Sequence, residues 1–142
     1  EGINMEVFGY GPLKHGFHNH ECLEGATYLH PAILGVAHRM FDTGGFPVLL
    51  PATENKAGYF PTGEVYELPE GKTGELILAR LDRLEGEGSM YHRVTAMTMD
   101  QEKVSYYIGD RDTWRRLDNR AFLGDNIKVD EDRETVSYVR AA

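Results

Sequence analysis

Short runs of apolar and β-branched residues, each cut off by Gly, Pro or Asn, recur along this chain and leave space for little else. The punctuation predicts strands near 5–10, 33–40, 59–68, 91–99, 103–109 and 134–139. β-Branched and aromatic side chains suit a pleated surface, whereas Gly, Pro and Asn favour turns. Within 103–109, Val104, Tyr106 and Ile108 share one parity and Lys103, Ser105 and Tyr107 the other. That strand is expected to have two unlike faces, one of them turned to the core. A helical period is clearest over 74–84, where Ile77, Leu81 and Leu84 fall on one face. Thr73 is placed to cap its start and Gly86 to end it. A second helix is expected over 112–122, with Trp114, Leu117 and Ala121 on one stripe. Its arginines alternate with acids, as on a solvated face. The stretch 42–56 holds Gly44-Gly45, two prolines and no sustained period, so it reads as a loop long enough to rim a pocket.

With 142 residues, 41% of them hydrophobic, and sixteen glycines spread through it, the chain fits one globular domain from Met5 onward. A chain of that size buries roughly two-thirds of the surface its unfolded form exposes. Residues 1–4 read as a cloning remnant. A formal net charge of −8 opposes nucleic acid as a partner, because phosphate binding depends on basic patches. No apolar run is long enough to cross a bilayer. Small molecules are therefore the expected partners, and oligomeric state is not legible. The lone Cys22 has no internal disulfide partner, and no charged-then-apolar leader precedes the first strand, so a reducing cytoplasm is the expected compartment.

Two separated segments carry the chemistry. The first strand breaks into Gly9-Tyr10-Gly11-Pro12-Leu13-Lys14-His15-Gly16, whose glycines let backbone N–H groups approach a ligand and hold an anionic or carbonyl oxygen. About seventy residues later the helical segment closes on Leu81-Asp82-Arg83-Leu84-Glu85-Gly86. A carboxylate there feels the negative end of the helix dipole, and in an apolar pocket burial adds to that effect, so its pKa is expected to rise toward neutrality. Acid-base work requires such a value. From the residues alone, Glu85 also reads as an ordinary helix end facing solvent. Arg93 is placed to pair with Glu85 or Asp82, or to lie outside.

Other signals are weaker. His15, His18, His20 and Cys22 crowd one segment, yet no second cluster offers the paired spacing of a structural zinc site, so no metal is assigned. Gly9-x-Gly11 follows a strand as in a dinucleotide fingerprint, but Lys14 stands where the third glycine belongs, and no strand-helix alternation follows. No cofactor is assigned. Ser89, Ser105 and Cys22 lack the context of a covalent nucleophile.

Tyr10-Gly11-Pro12-Leu13-Lys14, the Leu81 to Gly86 segment and Tyr91-His92-Arg93 together resemble the gamma-glutamylcyclotransferase-like family, in its gamma-glutamylamine cyclotransferase-like branch. Supporting matches are Gly45-Phe46-Pro47-Val48-Leu49, Gly63-Glu64-Val65-Tyr66-Glu67-Leu68 and Val104-Ser105-Tyr106-Tyr107-Ile108, in the same order. The resemblance implies an α+β fold, a mixed β-barrel or strongly curved sheet with two or three flanking helices. It implies cyclisation of a gamma-glutamyl amide to 5-oxoproline with release of an amine, and Glu85 as the catalytic acid-base. Substrate binding would fall to Tyr10, Gly11, Pro12, Leu13, Tyr91 and Tyr107, with no cofactor. The pocket for the leaving amine would come from 42–56 and the C-terminal tail. The chain departs from the family at Pro12, where relatives carry Ser or Thr. Proline has neither N–H nor hydroxyl, and a lost bond to a charged group is worth about 1.5 to 3 kcal/mol, roughly ten- to a hundredfold in binding. The alternative implied by that departure is a noncatalytic module of the same fold that sequesters a small anionic metabolite.

Overall fold

Consecutive residues of the central strands enter two different apolar clusters, and this period of two organises the molecule. The computed structural model describes residues 5–11, 23–43, 46–116 and 126–139. In chain order its elements are β1 (Glu6–Gly9), β2 (Thr27–Ile33), β3 (His38–Asp42), β4 (Pro47–Pro51), β5 (Phe60–Glu67), α1 (Gly71–Glu85), β6 (Tyr91–Met97), β7 (Lys103–Gly109), β8 (Ile127–Asp130) and β9 (Thr135–Tyr138). Val7, Tyr66 and Tyr107 pack with Ile77 and Leu81 of α1, while their neighbours Phe8, Val65 and Tyr106 pack with Leu34, Met40, Leu49 and Val136 on the opposite face. β7 is thus covered on both sides, rather than having one core face as its alternation suggested. Ser105 as well as Val104, Tyr106 and Tyr107 is buried.

The main sheet is mixed, in the order β6-β7-β1-β5-β9-β8, with β2 also paired to β5. β1 is antiparallel to β5 and parallel to β7. The sheet curls until the end of β2 meets the end of β6 through the isolated bridge Leu34↔Thr98. Gly35 N–H donates to Met97 O and Met99 N–H to Ile33 O, both at 2.8 Å. A single bridge joins these ends, so the fold is α+β with a strongly curved mixed sheet, not a continuously hydrogen-bonded barrel. α1 is the one helix among the described residues long enough to cover a face; the expected 112–122 helix is a succession of turns as far as Arg116, and its remainder lies outside them. None of the described helices is long and apolar enough to cross a membrane.

The stretch read as a loop, 42–56, contains β4, paired antiparallel to β3 from Asp42↔Pro47 to His38↔Pro51. Its prolines misled the sequence reading because they stand at the strand's two ends, where a missing N–H disturbs the ladder least. Val48, Leu49 and Leu50 between them are buried. The strand expected at 33–40 overlaps β2 only at Ile33 and β3 only from His38, and neither β2 nor β8 was anticipated.

α1 begins at Gly71, with Glu70 as N-cap and no capping side-chain bond, so Thr73 lies inside the helix instead of capping it. Its buried stripe is Gly74, Ile77 and Leu81. Leu84, expected on that stripe, is 41% exposed. The end is as anticipated: Gly86 takes φ 62° and ψ 48°, and its N–H returns to Arg83 O. Glycine reaches that left-handed geometry without a Cβ clash, and there the chain turns toward β6.

Candidate active site

Glu85 is the last residue of α1 and lies half-buried. Burial pushes its carboxyl from the usual 4.5 up to about 7, because the charged form loses hydration. Two tyrosine hydroxyls lie within its field. Tyr91 is held protonated by burial and then by the Glu85 charge. For Tyr10, burial leads and the charges of Tyr91, Glu85 and Tyr106 add to it. Both phenols therefore stay hydrogen-bond donors across the ordinary pH range.

Those donors are fixed by backbone oxygens from other elements. Tyr10 OH donates to Tyr107 O at 2.5 Å, tying the end of β1 to β7. Tyr91 OH donates to Pro47 O at 3.2 Å, tying β6 to the start of β4. Pro47 also closes against the glycine turn, since a Cβ built on Gly11 would stand 2.6 Å from Pro47 Cγ. Only glycine permits that approach. Glu85, Tyr10, Tyr91 and Gly11 are thus brought to one place by four elements: α1, the end of β1, β4 and β6. Pro12 and Leu13 of the expected cradle lie outside the described residues, as do His15, His18, His20 and Cys22. Among the described residues no group of three or more His, Cys, Asp or Glu side chains is arranged to hold a metal ion.

Tyr107, which the resemblance places beside the ligand, is buried in β7. Its hydroxyl donates to Asp82 Oδ1 at 2.6 Å, and Arg93 donates to Asp82 Oδ2. The near-terminal turn of α1 is therefore clamped to β6 and β7, one turn before Glu85. Arg93, whose partner was open in the sequence, pairs with Asp82. At the site Tyr107 contributes its main-chain carbonyl.

Sequence reasoning missed Pro47 and His38. Pro47 was read as loop punctuation, while Asp82 was one of the two partners expected for Arg93, and only its bond to Tyr107 was not anticipated. His38, 2% exposed, supports Tyr106 from behind. Its Nδ1 lies 2.7 Å from Val36 O and so carries the proton, and its Nε2 accepts from Tyr106 OH at 2.9 Å. Burial lowers its pKa and keeps it neutral. Only its place in a strand with apolar neighbours hinted at this.

The described residues form a curved mixed sheet with one flanking helix and a half-buried carboxyl at the helix end. The chain matches the family described as gamma-glutamyl cyclotransferase, AIG2-like, over residues 7–123, and belongs to it. Among solved structures, a mouse AIG2-like protein aligns with a TM-score of 0.59 at 22% identity, over 80% of each chain. A uropathogenic E. coli-specific protein gives 0.62 at 14% identity, over 80% of this chain and 85% of that one. An uncharacterised protein of Pyrococcus horikoshii gives 0.57 at 21% identity, over 74% and 77%. At such identities these likenesses establish the shared fold. No curated protein sequence is matched by the chain.

Proposed function

We propose that the protein is a gamma-glutamyl cyclotransferase acting on a gamma-glutamyl amide, with Glu85 as its acid-base. The observation that carries this reading is a carboxyl lifted to about 7 by burial, beside Tyr10, Tyr91 and the Gly11–Pro47 contact. The Glu85 carboxylate takes a proton from the substrate's α-ammonium. The freed amine attacks the γ-carbonyl carbon, a carbon–nitrogen bond forms, and the carbonyl electrons move to oxygen. Collapse of that intermediate expels the amine, which Glu85 protonates, and the remaining extra proton on the ring nitrogen passes to the departing amine, leaving neutral 5-oxoproline and an ammonium ion. A group with pKa near the working pH can both accept and return the proton.

Nucleophile and electrophile belong to one molecule, so the chief task is to hold the glutamyl chain curled with the reacting atoms roughly 3 to 3.5 Å apart. Backbone N–H groups of the 10–13 turn would bind the glutamyl oxygens, as preorganised amides do. Tyr10 and Tyr91 would wall the pocket. Pro12 withdraws one donor from that cradle and favours a second reading, a binding module that retains the site without turning over.

Incubation with a panel of gamma-glutamyl amides, followed for 5-oxoproline, separates the two. Release that falls by about 10²- to 10⁴-fold in Glu85→Gln supports the enzyme, matching the usual contribution of a positioned acid-base. Saturable binding without release supports the module.

A further inference from the structure

Trp114, the one tryptophan of the chain, lies buried in the turns that follow β7. Its indole stands between two residues that frame the candidate site. The ring centroid is 6.1 Å from that of Tyr91, at an interplanar angle of 51°, and 6.0 Å from that of Phe46, edge to face at 75°. Tilted and edge-on pairs of this kind attract beyond the area they bury. The indole N–H donates to Met90 O at 2.8 Å, in the residue just before Tyr91. The ring is therefore held at its polar edge as well as packed on its apolar body.

Gly109 makes that packing possible. It pairs with Tyr91 across β6 and β7, and side chains directly opposite each other share one face of a sheet. A Cβ on Gly109 would stand 2.9 Å from Trp114 Cδ1 and 2.6 Å from Val48 Cγ1, so the indole fills the space that any other residue would take beside Tyr91. Hydrogen bonds keep the turn there. Trp114 N–H donates to Asp110 O at 3.0 Å, Asp110 N–H to Met90 O at 2.9 Å, and the Thr113 hydroxyl to Ser89 O at 2.6 Å. Ser89 and Met90 belong to the short link that joins Glu85, at the end of α1, to Tyr91, at the start of β6.

The contacts close a circuit: Tyr91 OH reaches Pro47 O, the chain leads back one residue to Phe46, Phe46 meets the indole, and the indole meets the Tyr91 ring. Phe46 is itself pinned, its N–H donating to Thr43 Oγ1 at 3.3 Å and its carbonyl accepting the Thr43 hydroxyl at 2.8 Å. We propose that Trp114 is a positioning residue of the site, acting through Tyr91 and the Phe46-Pro47 pair to keep the phenol and the glycine turn at one spacing. The inference rests on the cyclotransferase reading and adds a residue to it. Without the indole, the Tyr91 ring has open space on one face, its hydroxyl can leave Pro47 O, and Pro47 loses its fixed seat against Gly11. Cyclisation needs a curled substrate held at near-attack distance, where a displacement of about 1 Å costs on the order of 10²-fold.

The test is a double-mutant cycle of Trp114 and Tyr91 in the intact protein, followed by 5-oxoproline release from a gamma-glutamyl amide, with far-UV circular dichroism to check the fold. Trp114→Leu is expected to lower kcat by about 10- to 100-fold with KM changed by less than about threefold. Trp114→Phe, which keeps a ring against Tyr91, should lose only about threefold. In Tyr91→Phe the bond to Pro47 O is already gone, so adding Trp114→Leu should cost no more than about threefold further, since residues that act through one contact do not contribute independently. Losses that multiply in full, or a folded Trp114→Leu with native kcat, overturn the inference while leaving the cyclotransferase standing. If Trp114→Leu does not fold, Trp114→Phe takes its place in the cycle, and its loss must vanish in the Tyr91→Phe background for the inference to survive. If no amide yields 5-oxoproline, the reaction and the role proposed for Trp114 fall together.

Discussion

Glu85 is harder to keep charged in the folded chain than in the unfolded one, and this has a consequence for stability as well as for chemistry. Its folded value, about 7, lies above the ordinary 4.5. The folded state therefore holds an extra proton between those values, and its stability falls as pH rises through that window. A neutral amide of the same shape escapes the desolvation penalty. Glu85→Gln is thus expected to match the native protein in urea unfolding near pH 4 and to exceed it by about 1 to 2 kcal/mol at pH 8, a discounted fraction of the shift because the carboxyl is only half-buried. No difference at either pH would place the side chain in water. The rise in pKa was legible from position and apolar surroundings, but its cause was only half anticipated. Burial is the cause that emerges, and the two phenols within reach of its charge, Tyr10 and Tyr91, come from segments that no local pattern joins to residue 85.

At the scale of elements, the end of α1 was read correctly and its beginning was not. A left-handed glycine leaves a sharp mark, since few other residues tolerate φ 62°, whereas the N-terminus lacks a capping side chain and has no mark to read. Gly86→Ala is expected to destabilise the fold by about 1 kcal/mol in chemical denaturation, since the alanine pays the left-handed strain. An unchanged midpoint would show that the cap does not fix the turn into β6. β7 was placed at its observed bounds because Val104, Tyr106 and Ile108 alternate with polar partners. β4 was missed because Pro47 and Pro51 look like loop residues until their pairing with Asp42 and His38 is known. Strand pairing is a relation between distant segments, so its allowance for terminal prolines is invisible in one segment alone.

For the whole molecule, the family's ordered segments disclosed the fold class, and the way the sheet curls came only with coordinates. Nothing in Leu34 or Thr98 by itself says that they bridge, and of the two expected forms, barrel or strongly curved sheet, it is the curved sheet that is found, joined there at one point. The clamp of Asp82 on Arg93 and Tyr107 is likewise a product of three elements. Asp82→Asn should keep the Tyr107 bond but lose the ion pair, lowering stability by about 1 to 2 kcal/mol. As Asp82 positions Glu85, kcat should fall while KM changes little. A variant as active as the native protein would show that the clamp does not position Glu85. The most direct measurement is the pH dependence of 5-oxoproline release from a gamma-glutamyl amide at subsaturating concentration. A carboxylate that must accept a proton predicts a rate that rises with pH through a midpoint near 7. A midpoint near the ordinary 4.5, or release that persists undiminished in Glu85→Gln, would contradict it.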